Sequence, residues 1–208
     1  MGAFLEAVIG CPSIHARWLN TLSLLEFMGS RKIARSLSGA FCDEQRLRHL
    51  AEEARHAHFF KRAIERIPQA PVLQGYTVEQ TLSRTAAALY FHGLDARVKH
   101  RLQEVCATMD DNSFTELCYL YVTTLVEERA ARVYPLYDSI LEKHGIPVRL
   151  QGIIGEEDRH LAAMHASLAR QPDHRDELLS ELRLMEEGLF ARFFAALERD
   201  VARLKLAA

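Results

Sequence analysis

Two tetrapeptides constrain this chain more than anything else in it: Glu53-Ala54-Arg55-His56 and Glu157-Asp158-Arg159-His160. Each is a Glu-x-x-His. On a helix, residues three apart share a face about one turn apart, so the carboxylate and the imidazole can converge on one ion. A single such tetrapeptide arises easily by chance. Here each follows another glutamate on an apolar helical face, Glu26 lying 27 residues before Glu53 and Glu127 lying 30 before Glu157. Both separations suit a helix, a turn and part of a second helix. The candidate ligand set is therefore Glu26, Glu53, His56, Glu127, Glu157 and His160.

The segments around these residues read as helices. Ser13 is a candidate N-cap for a helix over 14–38, with Ile14, Trp18, Leu22, Leu25, Gly29 and Ile33 as its apolar stripe and Gly39 at its end. Asp43 opens a helix over 43–67, stopped by Pro68, whose expected buried face includes Leu47, Leu50, Ala54, Ala57, Phe60 and Ile64. Thr77 and Gln80 have capping-box spacing, and 77–109 reads as one or two helices bent near Gly93. Ser113 and Glu116 have the same spacing ahead of a helix over 113–144, which Pro135 should kink and Gly145 should close. Pro147 suits the first position of a helix over 147–170. Gly152 and Gly155 each cost that helix about 1 kcal/mol of propensity, so close packing or a bend is expected there. Asp173 is the expected cap of a last helix, 173–205, with a stripe of large apolar residues from Leu178 to Leu204 that covers either the rest of the chain or a second copy. No strand alternation stands out. A loose duplication does: Ser23-Leu24-Leu25-Glu26 parallels Thr124-Leu125-Val126-Glu127 at an offset of 101, and the Glu-x-x-His motifs repeat at 104. Arg31 and Arg132 each follow their glutamate by five residues, either to pair with carboxylates near the ligands or to reach solvent.

Composition removes several classes of function. A chain of 208 residues, 49% hydrophobic, is long enough for one domain with a sizeable core. A net charge of −2 gives no general affinity for nucleic acid, although a local basic patch leaves RNA open as a partner. No apolar run has the length of a membrane span, and the short apolar stretch at 1–10 lacks a signal-peptide layout. Cys11, Cys42, Cys106 and Cys118 form no Cys-x-x-Cys. Zinc ribbons and rubredoxin-type iron sites are thereby disfavoured, and four buried, reduced thiols in a cytoplasmic protein are expected.

Four carboxylates in a dry core would repel one another strongly, and two divalent cations would neutralise them. Oxygen-rich ligation with one imidazole per ion suits iron or manganese. A glutamate from each of two helices with a Glu-x-x-His from each of two others resembles the ferritin-like di-iron carboxylate superfamily. The resemblance covers roughly Ile14 to Arg170, in motif order and spacing. It implies an all-α fold, a ferritin-like four-helix bundle with additional helices, built on 14–38, 43–67, 113–144 and 147–170. It also implies two iron ions (or manganese), bridged by one or two of the glutamates, Glu53 and Glu157 being the foremost candidates. Leu125-Val126-Glu127-Glu128-Arg129 is similar to the third-helix segment of that family's tRNA-modifying hydroxylases. At that segment two readings stand. Alignment of the halves favours Glu127, and the apolar periodicity also permits Glu128. Glu52, Glu128 and Glu156 are expected at the surface or behind the ligands. His49, His58 and His165 are expected in packing or at the surface, and Tyr119, Tyr121 and Tyr134 in the core.

What the resemblance implies about function is an oxidase or hydroxylase. Such an enzyme would use dioxygen, an organic substrate and an external electron donor, and homodimerisation through the last helix is open. The alternatives are iron handling, as ferroxidase and store or as peroxide scavenger, and a structural relative without metal.

Overall fold

The computed structural model describes residues 1–37, 42–106, 109–171 and 175–206, all helix and connecting turns with no strand among them. Seven α-helices follow in order: α1 (Gly2–Ile9), α2 (Pro12–Ser36), α3 (Glu44–Ala63), α4 (Arg84–Val105), α5 (Asp111–Lys143), α6 (Gln151–Leu168) and α7 (Arg175–Leu206). A 3-10 turn, Ile64–Arg66, extends α3. None of the helices is long and apolar enough to cross a membrane.

The helices associate as antiparallel neighbours. On α2 and α3, Ser23 meets Ala57 while Gly29 faces Glu53, so positions rise on one helix as they fall on the other. On α5 and α6, Asp138 meets Leu150 and Glu128 meets His165. On α4 and α7, Ser83 meets Asp200, Tyr90 meets Glu186 and Arg101 meets Glu181. The short apolar stretch at the start becomes α1. It inserts Phe4, Leu5 and Val8 into the core, with the Phe4 ring edge-on to Trp18 at 5.4 Å.

Some caps are where the sequence places them. Asp43 accepts the Arg46 backbone N–H at 2.8 Å and opens α3. After α5, Gly145 takes a φ of +65°. The Gly145 N–H then bonds Glu142 O and the Ile146 N–H bonds Leu141 O, the paired bonds of a Schellman motif. Four starts differ. α2 begins at Pro12 with Cys11 as cap, two residues earlier than Ser13 implies. Residues 77–82 are turns, because α2 consumes the loop's backbone groups: Asn20 donates to Gly75 O and Gln80 O, and Thr21 Oγ1 accepts the Leu82 N–H. α4 therefore starts at Arg84 and runs unbroken through Gly93, which lies against Leu189 of α7. At α5 it is Asp110 that caps, accepting the N–H groups of Asn112 and Ser113, while Glu116 pairs with Arg46 instead of closing a capping box. Pro147 stays in the connection. The buried Asp138 carboxylate takes the Leu150 N–H at 2.6 Å and delays α6 to Gln151.

Other expectations are corrected by burial. A Cβ at Gly152 or Gly155 would meet nothing within 4 Å, so neither is a packing glycine. Only Cys118 is buried and Cys42 is exposed, all four being free thiols. The α7 stripe is used within the chain: Leu182, Leu189, Phe193, Leu197 and Val201 are buried. The expected Gly39 terminus and Asp173 cap lie outside the described residues.

The largest correction is on α3. Leu47 and Ala54 face solvent. The buried face is Arg46, His49, Glu52, Glu53, His56, Ala57 and Phe60. α3 thus turns a charged stripe into the protein interior, a costly arrangement unless the charges find partners.

Candidate metal centre

All six candidate ligands meet in the interior, between α2, α3, α5 and α6. Two groups of four side chains are able to hold a metal ion. Glu26, Glu53, His56 and Glu157 form one, and His49, Glu53, Glu127 and His160 form the other. Within each group, one ligand atom per residue lies within 4.8 Å of all the others. Glu53 belongs to both groups. Glu157 also touches both imidazoles, with Oε1 3.0 Å from His56 Nδ1 and Oε2 3.4 Å from His160 Nδ1.

His56 and His160 each present Nδ1 to the cluster and Nε2 to a carboxylate behind it, and the two supports are crossed. His56 Nε2 on α3 donates to Glu156 of α6 at 2.7 Å, and His160 Nε2 on α6 donates to Glu52 of α3 at 2.6 Å. Arg55 then pairs with Glu156 at 2.5 Å, and Arg159 approaches Glu52 at 3.6 Å. An outer carboxylate on the far nitrogen fixes the ring and leaves the near nitrogen as an electron-pair donor, the usual way a metal-binding histidine is held. Glu52 and Glu156 therefore stand behind the ligands, with Glu52 fully buried.

Gly29 of α2 faces Glu53 of α3. A Cβ there would lie 2.9 Å from Glu53 Oε2, so the absence of a side chain gives the shared carboxylate its room. On the adjacent turn, Glu26 accepts a hydrogen bond from the buried Tyr134 hydroxyl. The Glu127/Glu128 alternative separates cleanly. Glu127 enters the cluster, and Glu128 turns outward to Arg183 at 2.5 Å and His165 at 3.5 Å.

His49 is the residue that the sequence reading put elsewhere. Its Nε2 lies 3.2 Å from Glu127 and 3.5 Å from Glu53, and its Nδ1 is hydrogen-bonded to Tyr119 at 2.8 Å. Its spacing was visible: His49, Glu53 and His56 fall at i, i+4 and i+7, one helical face. Tyr119 and Tyr134 are core residues as expected, and each also bonds a cluster member. Arg31 and Arg132 stay away from the cluster. Arg31 lies over the Phe27 ring and Arg132 reaches Glu187 at the surface. A half-buried cation nearby is instead Arg129. It forks onto Glu186 with bonds of 3.0 and 2.5 Å, and Tyr90 donates to the same carboxylate at 2.6 Å.

The charges of the cluster act strongly on one another. Burial, with the charges of Glu53 and Glu157, pushes Glu26 well above the usual carboxylate range. Burial and Glu157 do the same to Glu127. Against the pull of burial, hydrogen bonds to Glu157 and Glu53 raise His56 to about 12, and hydrogen bonds to Glu127 and Glu157 raise His160 to about 10. Glu53 is held low despite burial by His49 and His56. Burial also opposes ionisation of Glu157, which is nevertheless held low by hydrogen bonds from Glu127, His160 and His56. Protons on the histidines thus offset part of the negative charge of the four carboxylates. Glu53 Oε1, His56 Nδ1 and Glu157 Oε1 are buried and face one another, His56 Nδ1 lying 3.0 Å from Glu157 Oε1 and 3.7 Å from Glu53 Oε1, but these contacts are poorly aligned for hydrogen bonds. Two carboxylate oxygens and an imidazole nitrogen turned on one another in this way fit a bound cation that would take the place of the His56 proton.

A small cavity of about 80 Å³ opens beside the cluster, touching Glu26, Glu53, Glu127 and Glu157 on one side and Trp18, Phe91, Val133 and Phe193 on the other. No protein-family model matches this chain, and neither a curated protein nor a solved structure does.

Proposed function

We propose that this chain is a di-metal carboxylate oxidoreductase that activates dioxygen to oxidise or hydroxylate an organic substrate. The arrangement of α2, α3, α5 and α6 around the cluster supports a ferritin-like four-helix core. Iron is the metal of choice and manganese the alternative, since the donors are carboxylates and imidazoles with no thiolate among them. Glu26, His56 and Glu157 would hold one ion, His49, Glu127 and His160 the other, and Glu53 would bridge them.

A pair of ferrous ions would supply the electrons that reduce dioxygen. In a hydroxylation, one oxygen atom enters a C–H bond and the other leaves as water, with two electrons from an external donor and two protons balancing the reaction. The chain's own contribution is positioning and exclusion of water. Glu52 and Glu156 hold the imidazoles in one tautomer, Gly29 admits the Glu53 carboxylate, and Trp18, Phe91, Val133 and Phe193 give the cavity its apolar side. Tyr134 donates to Glu26, and its hydroxyl proton is held where a shifting carboxylate can keep or release it.

The observation that carries this reading is the pair of ligand groups sharing Glu53, with buried carboxylate oxygens and imidazole nitrogens turned toward one another. The test is anaerobic loading with ferrous iron, metal counting, and then oxygen uptake with a chemical reductant and a substrate panel under ¹⁸O₂. Two metals per chain and label in an organic product are expected. Uptake that only oxidises iron, in a large hollow oligomer, would move the chain to iron storage. Absence of bound metal after reconstitution would leave the structural-relative reading.

A further inference from the structure

A second cavity of about 560 Å³ lies on the α2–α4 side of the centre, and nothing in the proposed chemistry at the metals accounts for its charge. Its walls carry Arg31, Lys32, Arg35, Arg84 and Lys99 against a single carboxylate, Asp95. Lys32 and Lys99 both spend their charge on Asp95. Arg84 donates to the Tyr76 carbonyl. Arg31 and Arg35 meet no carboxylate among the described residues, and both are exposed to the cavity mouth. In a chain with net charge −2, five cations around one cleft repel one another and concentrate a positive field there.

The same cleft is aromatic. The Phe27 and Tyr76 rings stack at 5.8 Å with an interplanar angle of 25°, and Phe27 keeps 41% of its surface exposed. Two residues tie the cleft to the metal centre. Phe91 lines both cavities, and Tyr119 lines the larger one while hydrogen-bonding His49 at 2.8 Å. A volume of 560 Å³ suits a small organic ligand, whereas the 80 Å³ chamber by the metals holds only a few atoms.

We propose that this cleft binds the substrate, a small organic anion with a flat ring. Its carboxylate or phosphate is held by Arg31 and Arg35, its ring rests against Phe27, and its reacting end points past Phe91 toward the metals. The direction of that last end rests on the oxidase reading; the anion site does not. Guanidinium forks match carboxylate and phosphate geometry, and stacking on an exposed ring favours a planar body.

The test is fluorescence titration of the full chain, with and without metal. The probes are 1-anilinonaphthalene-8-sulfonate as flat anion and N-phenyl-1-naphthylamine as its uncharged counterpart, with naphthoate and nucleoside monophosphates as competitors. One saturable anion site is expected, with displacement by the competitors. R31E/R35E should weaken the anion at least about tenfold and leave the uncharged probe, the helical circular dichroism and the metal count unchanged. Arg35→Gln alone should give a smaller loss in the same direction, which covers the case in which the double variant fails to fold. Equal affinity for the two probes, or no loss in either variant, overturns the proposal. So does an RNA hairpin that binds through Arg31 and Arg35 while the small anions do not compete. Two metals per chain without anion binding sinks the cleft alone; anion binding without metal sinks the oxidase reading and keeps the cleft.

Discussion

Between the pairs α2–α3 and α5–α6, matching positions hold matching residues at almost every point that faces the cluster. Glu26 corresponds to Glu127, and Glu52, Glu53, Arg55 and His56 correspond to Glu156, Glu157, Arg159 and His160 at an offset of 104. The supports are exchanged, each pair's histidine leaning on the other pair's outer glutamate. At the same offset His49 corresponds to Ile153. Both are buried, but one is an imidazole against Glu127 and the other is a hydrocarbon. The halves therefore offer equal carboxylates and unequal nitrogen. One ion would see a single imidazole and the other two, which gives the two positions different affinities and different electron-donating power.

Removing the element common to both halves has the largest expected effect. Glu53→Ala should take metal content from two ions per chain to fewer than one, because neither group of four is complete without that carboxylate. In the parent chain, metal at about 100 times its Kd should add about 2.7 kcal/mol of stability per ion bound, and in the variant much less. Calorimetric melting with and without ferrous or manganous ion is the measurement. Full metal content in Glu53→Ala would dismantle the shared-ligand geometry.

Protons should reveal the equality of the halves. Each contributes one histidine that holds a proton at neutral pH without metal, His56 at about 12 and His160 at about 10, and one glutamate, Glu26 or Glu127, that burial and neighbouring carboxylates push upward. Loading both ions at pH 7 should displace at least two protons, one from each histidine. Each ion's affinity should climb by about tenfold per pH unit while its histidine is protonated. The metal-free fold has the opposite trend. Stability from the raised histidines is complete below about pH 6.5 and is lost as pH rises through about 10 and then 12. The raised glutamates act in the same sense, favouring the fold at low pH and costing stability as pH climbs above the ordinary carboxylate value. Glu53 and Glu157 act oppositely and lose their contribution as pH falls below it. Titration calorimetry in buffers of different ionisation enthalpy counts the protons, and a release near zero would contradict the whole protonation pattern.

The inequality is tested at His49. His49→Ile makes the two pairs alike, and should weaken one of the two ions by about 10- to 100-fold while sparing the other. A competitive chelator titration that is biphasic in the variant, with one phase unmoved, is the expected result. Loss of both ions in equal measure would assign His49 to the fold rather than to one metal position.

How much of this was legible beforehand depended on what kind of signal each residue gave. The six acidic and imidazole ligands were readable because i, i+3 spacing on a helix is local geometry, and the order of the motifs survives folding. Asp43 and Gly145 were readable because each cap acts through its nearest backbone neighbours. The face of α3 was not, since counting apolar residues assumes that what is buried is apolar. Leu47 and Ala54 were placed inside on that assumption, and a polar cluster inverted it. Attention to Glu-x-x-His also hid the longer repeat, Glu-Glu-x-Arg-His, which carries Glu52 and Glu156 and hence the crossed supports. Pro147 and the Ser113 box failed for another reason. Asp138 and Asp110, side chains outside each pattern, took the backbone donors that would have set the start.

The smallest effect separates the two supports themselves. Arg55 meets Glu156 at 2.5 Å on Oε2, the same oxygen that accepts from His56. Arg159 comes no closer than 3.6 Å to Glu52 and does so on Oε1, while His160 uses Oε2. Both guanidinium groups are more than half exposed, so solvent screens them and neither removal should be severe. Arg55→Ala frees the very atom that orients an imidazole, and should weaken metal by about two- to fivefold. Arg159→Ala leaves its accepting oxygen undisturbed and should fall within error of the parent. The comparison needs only the chelator titration already described. An Arg159→Ala loss equal to or greater than that of Arg55→Ala would mean that the crossed supports respond to net charge rather than to which oxygen is held.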